Sequence, residues 1–134
     1  MKIYTSQQVG CRGERVAAKF LKREGYRIVA RNQHFGRNEL DLVATDKQYI
    51  VFVEVKARSF EGDEKVFCRP ADAVDLEKRK RTITAAVDYL KKYKSPFCPR
   101  FDVIEVYLDR KRRLRPVRVN HIIDAFSSNG NIRR

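Results

Sequence analysis

The sequence predicts an α/β sandwich, a mixed central sheet with a helix on each face. Three observations predict it. Residues 5–24 carry apolar positions at helical spacing, residues 39–57 read as two apolar strands joined by a polar turn, and a second helical period precedes a further strand at 101–108. Helix, strand, hairpin, helix and strand in that order give a sandwich rather than a bundle or a barrel. The length of 134 residues suits one domain at 1–126, with a tail at 127–134 expected to be disordered.

The first helix opens on Thr5-Ser6-Gln7-Gln8, a capping box, and stops at Gly25. Val9, Gly13, Val16, Ala17 and Phe20 form its buried stripe, with Leu21 beside them. Glu14 lies on the shoulder of that stripe, where it either pairs with a neighbour such as Arg15 or leans toward the hairpin acids. Gly10, Gly13 and nearby Arg12 predict that backbone or phosphate comes close to this helix. Residues 26–31 read as a short strand. Residues 32–38 read as a polar, basic connector containing His34, Gly36 and Arg37, with His34 at the surface.

The hairpin carries the chemistry. With Asp46 and Lys47 as its turn, or with a four-residue loop, Glu39 faces Glu54 and Asp41 faces Phe52. Side chains alternate along a strand, so this register puts Glu39, Asp41, Glu54 and Lys56 on one face and Leu40, Leu42, Ala44, Val51, Val53 and Val55 on the other. Asp41 is then diagonal to Glu54, roughly 7–8 Å away at the backbone, and a slip of one residue would separate them. Val43, Ile50 and Phe52 cover the charged face too, so the hairpin is interior. Buried charge must be paired or bound to a cation. One reading is a salt bridge between Lys56 and its neighbouring acids at the sheet rim. The other is a pair of hard oxygen ligands for Mg²⁺ beside a lysine that positions water.

Residues 58–69 form a connection longer than usual that begins beside Lys56. Pro70 suits the first position of a second helix running to about Tyr93, with Leu76, Ile83, Ala86, Val87 and Leu90 on one face. Its block Lys78-Arg79-Lys80-Arg81 is an ordinary solvated face, except that Arg79 shares the side of Ile83 and Leu90 and turns toward the sheet or its rim. After the strand at 101–108 and a basic turn at 109–113, Pro116 confines residues 114–119 to an edge strand. Asn120 is placed to cap a short helix at 121–126.

The formal charge of +13, from 30 Lys and Arg, points to a polyanionic partner, nucleic acid before a membrane surface. No apolar run is long enough to cross a bilayer, and no helix joins a basic face to large exposed apolar residues. The N-terminus lacks the apolar core of a secretory signal. Cys11, Cys68 and Cys98 are odd in number and widely spaced, as in a cytoplasmic protein with reduced thiols.

GERVAAKFLKREGYRIVARN, NELDLVA, VFVEVKAR, EKRKRTITAAVDYL and RFDVIEV together resemble the YraN-like family of small bacterial predicted endonucleases, over nearly the whole chain to about residue 108. The resemblance implies the restriction-endonuclease-like, PD-(D/E)XK fold, akin to archaeal Holliday junction resolvases. It implies Asp41 and Glu54 as metal-binding acids, Lys56 as the lysine and Glu14 as the helix glutamate. The family usually has glycine where this chain has Asn38, and Asn is the residue best able to keep a left-handed turn there. Resolvase-like relatives act as dimers, which makes a homodimer an expectation of the same kind, although no self-complementary patch stands out in the string.

The expected activity is a Mg²⁺- or Mn²⁺-dependent phosphodiesterase on DNA, branched or flapped duplexes included, with low sequence specificity. Asp41 and Glu54, with Glu39 beside them, hold the metal; Lys56 orients the water; Glu14 binds a second metal or its water. Arg12, Arg37, Arg58, Lys78, Arg79 and Arg81 contact the phosphate backbone. The alternative from another class is a nucleic-acid-binding module that keeps a nuclease fold without catalysis. A protein adaptor that docks on an acidic partner is a third.

Overall fold

The computed structural model describes residues 3–61 and 76–128. Helix α1 (Ser6–Arg23) is followed by strands β1 (Arg27–Phe35), β2 (Asn38–Thr45) and β3 (Tyr49–Phe60), helix α2 (Leu76–Lys92) and strands β4 (Cys98–Asp109) and β5 (Arg115–Phe126). The sheet runs β1-β2-β3-β4-β5. All neighbours are antiparallel except β3 and β4, which are parallel in register from Tyr49↔Cys98 to Phe60↔Asp109. The predicted sandwich with a mixed sheet is the observed fold, and the described chain has no helix long and apolar enough to cross a membrane.

Helix α1 starts where the capping box requires. Gln8 N–H donates to Thr5 Oγ1 at 3.1 Å, and Thr5 N–H donates to Gln8 Oε1 at 2.8 Å. Gly25, with φ of 96°, takes the left-handed position that ends the helix. Val9, Ala17, Ala18 and Leu21 pack on Leu42, Ala44, Val51, Val53, Ile104 and Val106. Gly13 is the contact point with the sheet, because a Cβ there would stand 2.5 Å from Ala57 Cβ. The close approach expected at Gly13 is therefore an approach of strand β3.

On the other face, Ala85, Ala86 and Tyr89 of α2 cover Leu40, Val43, Ile50, Phe52, Phe101 and Val103. The buried side of α2 is thus Thr82, Ala85, Ala86 and Tyr89, and the expected stripe needs correction. Leu76 and Val87 are exposed, while Ile83 and Leu90 only border the core. The small residues seat the helix close to the sheet and Tyr89 fills the remaining space against Phe35 and Phe52. The expected helix start at Pro70, most of the connection at 58–69, Cys68 and the tail from 129 onward lie outside the described residues.

Three further expectations are corrected. The connector at 32–38 is a hairpin instead: β1 continues to Phe35, which pairs with Asn38 across the two-residue turn Gly36-Arg37. The left-handed turn residue is Gly36 (φ 61°), so Asn38 is an ordinary strand residue and needs no glycine-like backbone. The β2–β3 register is displaced by two residues, with Leu42↔Val53 and Thr45↔Ile50. Asp46 causes this. Its Oδ1 accepts from both Gln48 N–H and Tyr49 N–H at 2.7 Å, which holds 46–49 out of the ladder as the connecting turn. A shift of two preserves facing, so Leu42, Ala44, Val51 and Val53 share one face and Val43, Ile50 and Phe52 the other as expected, whereas Leu40 lies with the second group.

The third correction is at 121–126, where β5 continues and no helix forms. Asn120 and His121 pair with Glu105 and Ile104, and their side chains serve neighbouring strands. Asn120 Nδ2 donates to Glu105 at 2.9 Å, and His121 Nε2 lies 2.7 Å from Asp102. Asp102 also receives Arg100 Nε and Nη2 and, at a left-handed kink, the Asp124 N–H. These bonds outweigh the effect of burial and hold the Asp102 carboxyl below its usual range. The buried charge is satisfied from strand to strand, which a helix at 121–126 would forgo.

Candidate functional site

Strand β3 is longer than its pairing with β2. Their ladder runs from Thr45↔Ile50 to Leu42↔Val53, while β3 continues beside β4 to Phe60. The split occurs at Asp41. Leu42 faces α1 whereas Leu40 faces α2, so β2 reverses its facing across Asp41, which is the departure of Leu40 from its expected face. Asn32, on the neighbouring strand at this level, has left-handed backbone with φ of 47°. Here the Asp41 side chain takes over from the ladder: Val55 N–H donates to its Oδ2 at 2.9 Å. Asp41 thus caps β3 where β2 leaves it.

Glu54 lies next to this cap and turns toward α2. It is 3% exposed. Its carboxyl is pushed up to about 7, by burial first and by the Asp41 charge second, against the opposing pull of Lys78 and Lys56. The Lys78 ammonium of α2 lies 2.5 Å from Glu54 Oε1, and their attraction and hydrogen bond oppose the upward push on the Glu54 carboxyl. Burial works against the Lys78 charge, but the attraction of Glu54 outweighs it and raises the lysine pKa.

A cleft of about 390 Å³ opens beside the unpaired edge of β3, and Glu14, Lys56, Arg58 and Lys78 line it. Glu14 enters from α1, so of the two readings left open for it, the structure supports the one that leans toward the hairpin acids. Its pKa is raised, by burial and by repulsion from Asp41 and Glu39. With its amide nitrogen turned toward the acids, Asn32 donates to Glu14 Oε1 at 2.9 Å and to Glu39 Oε1 at 3.1 Å. Gly10 leaves open space at the mouth of the cleft.

The structure therefore brings together Asp41, Glu54, Lys56 and Glu14. Glu39 adjoins Glu14 through Asn32 rather than Glu54: it pairs with His34 of β1, and its side chain is 42% exposed. Arg58 lines the cleft, Arg81 is close enough to oppose the Lys78 charge, and Arg79 is half-buried one residue from Lys78. Arg37 is exposed at the β1–β2 turn. Arg12 belongs to a different surface, where its Nε donates to Leu114 O at 3.2 Å and it borders a groove of about 530 Å³ with Arg15, Lys19 and Arg23.

Two partners were not legible as such. Lys78 carries the spacing signal, since it stands four, seven and eleven residues before Thr82, Ala85 and Tyr89 on the buried side of α2. Asn32 has only the weak signal that Asn tolerates left-handed backbone.

Among the described residues no three His, Cys, Asp or Glu side chains form a complete cation cage. Asp41 and Glu54 nevertheless suit one hard cation. Mg²⁺ is commonly held by one or two carboxylates with water and substrate phosphate completing the shell, and buried Glu54 with the Asp41 charge beside it offers such a pair.

The model of the Uncharacterised protein family UPF0102 matches residues 13–106. A UPF0102 protein of Caldanaerobacter subterraneus subspecies tengcongensis is 39% identical over 127 residues, covering 94% of this chain and all of the relative. One from Chlorobaculum tepidum is 41% identical over 124 residues, 90% of this chain and 92% of its own. One from Bacteroides thetaiotaomicron is 40% identical over 119 residues, 89% and 92% of the two chains. The matched segment takes in Asp41, Glu54, Lys56, Glu14 and Lys78.

Proposed function

The chain belongs to the UPF0102 family, and from the geometry of its cleft we propose that it is a divalent-metal-dependent phosphodiesterase of nucleic acid, DNA before RNA. Branched or flapped duplexes are among its substrates, and sequence plays little part in their choice. One observation carries this reading: the buried Glu54 carboxylate, with the Asp41 charge beside it, is held above its ordinary pKa even with the Lys78 ammonium at its Oε1. Two converging carboxylates in a sheet interior are costly until a cation answers them. Asp41 and Glu54 would hold Mg²⁺ or Mn²⁺. When bound, the ion supplies Lewis-acid polarisation of a phosphoryl oxygen and positive charge for the transition state.

The remaining work falls to the chain. Asp41, tied to Val55 N–H, has its carboxylate fixed before any ligand arrives. Lys56 acts on the attacking water and on the developing negative charge of the phosphate. Glu14 has a raised pKa and shares the cleft, so in this reading it accepts the proton of that water. Arg58 and Arg81 hold the flanking backbone, which positions the strand without reading its bases. Glu39 acts through Asn32 on Glu14 rather than on the ion.

The second reading, a nucleic-acid-binding module without catalysis, is favoured by the Lys78–Glu54 pair, which would then be a structural ion pair. Labelled flapped and linear DNA duplexes incubated with Mg²⁺ or Mn²⁺ separate the two. Cleavage should require the ion, and Asp41→Asn, Glu54→Gln and Lys56→Met should each slow it by about a hundredfold or more. Affinity for uncleaved duplex without the ion should hold or rise in the two acid variants, because a carboxylate near phosphate repels it. Tight binding with no cleavage under either ion would leave the module standing.

A further inference from the structure

Lys78 stands on the buried side of α2 and reaches Glu54. Thr82 Oγ1 donates to its carbonyl at 3.1 Å, which fixes the backbone from which it extends. At its tip the ammonium lies against Glu54 Oε1, while 43% of the side chain remains exposed and lines the cleft. A pair built for stability alone would be enclosed and its hydrogen bonds well directed, because an incompletely satisfied buried pair contributes little. This pair is half open. Asp41 adds to the attraction on the ammonium and Arg81 opposes it. The lysine therefore sits where a cation is wanted, on a flexible stem whose other side faces the space a substrate would fill.

We infer that Lys78 is the resident counter-cation of the acid pair and changes partner during loading, leaving Glu54 for a non-bridging phosphate oxygen when a divalent ion takes its place. The inference rests on the metal-dependent reading above and adds an exchange to it. A bare acid pair is never exposed, because one cation leaves as another arrives. The released ammonium makes the cleft more attractive to phosphodiester, so ion and nucleic acid strengthen each other's binding. By linkage the enhancement is the same in both directions. The basic block of α2 thereby contains one residue that serves the acids until the ion binds and the phosphate afterwards.

The test uses the full chain, Mn²⁺ alone, and a flapped DNA duplex with Ca²⁺ as the non-turnover ion. Lys78→Met keeps the stem and its packing but removes the competing charge. Without DNA it should bind Mn²⁺ more tightly than wild type, by a factor between about 5 and 150, the usual range for two coupled ligands. In wild type Ca²⁺ should tighten duplex binding, and in Lys78→Met most of that enhancement should vanish. Metal-free Lys78→Met should melt below wild type, and Mn²⁺ should raise its melting temperature by more than it raises that of wild type. If the variant does not fold without metal, refolding in Mn²⁺ should rescue it, and failure of that rescue overturns the exchange. Equal or weaker Mn²⁺ binding by Lys78→Met also overturns it while leaving the metal site intact in wild type. Absence of Mn²⁺ binding by wild type itself would remove both the inference and the metal-dependent reading.

Discussion

At Glu54 a carboxyl whose ordinary pKa is 4.5 is held at about 7, chiefly by burial and then by Asp41. In the unfolded chain the same group ionises near its ordinary value. Between the two the native state holds a proton that the unfolded state has lost, so the stability of the metal-free protein should fall as pH rises from about 4.5 to about 7. The loss is on the order of 3 kcal/mol, and Glu14, raised in the same direction, adds to it. Asp102 works in the opposite sense, but its depressed pKa puts its effect below this window. Denaturant titrations at intervals across the range measure the slope, and Glu54→Gln should flatten most of it. A wild type that gains stability over the same range would contradict the account of Glu54. The approach of Asp41 to Glu54 was legible from the hairpin, although the expected register was two residues off and β2 changes its facing at Asp41. The pairing of Lys78 was not, since a run of Lys and Arg on a helix looks the same whether or not one of them finds a buried acid.

At the scale of elements, the site depends on how closely α1 lies on β3, and Gly13 sets that distance. An alanine Cβ at 13 would meet Ala57 Cβ at 2.5 Å, and Ala57 Cα at 3.5 Å, so the helix must lift off the strand. Relief of glycine's backbone entropy returns up to about 1 kcal/mol, whereas overpacking costs about 1–3 kcal/mol. Gly13→Ala should therefore be destabilised by about 1 kcal/mol or somewhat more, and it should lose cleavage beyond that because Glu14 moves with the helix. Gly10→Ala is the control: nothing stands within 4 Å of its Cβ, and it should gain about 0.5–1 kcal/mol. Thermal melts of the two variants should thus shift in opposite directions, and a stabilised Gly13→Ala would mean that the helix seat is looser than drawn. Helix α1 could be read almost to the residue, because capping box, apolar stripe and terminal glycine agree. The first hairpin and the end of β5 could not. Asn32 serves Glu14 and Glu39, Asn120 holds Glu105, and His121 and Asp124 hold Asp102, and such polar residues in a strand imitate a connector or a helix cap.

At the scale of the whole molecule, two basic surfaces can be told apart among the described residues, which the charge of +13 alone could not separate. One is the cleft, with Arg58 and Lys78. The other is the outer face of α1, where Arg15, Lys19 and Arg23 are exposed beside the Pro116–Val119 stretch of β5. That second surface was hidden because it needs β5 beside α1, and no count of charges supplies such a neighbour. Its cations stand four residues apart on one helix stripe, about 5–6 Å between successive residues, comparable to the spacing of phosphates along a strand. Nucleic-acid binding should consequently be strongly salt-dependent. With four to six phosphate contacts, each contributing about −0.9 to the log–log slope, affinity should weaken by about a hundredfold or more from 50 to 200 mM salt. Alanine at Arg15 and Lys19 together should reduce that slope by up to about 1.8 if this face carries backbone, and by nothing if only the cleft does. Cleavage of a saturating short duplex should be unchanged in the same variant, because neither residue touches the acid pair. Fluorescence anisotropy across a salt series reads the slope directly. Binding that ignores salt would instead favour a protein partner, since released counterions are the signature that a polyphosphate leaves and an acidic protein surface largely lacks.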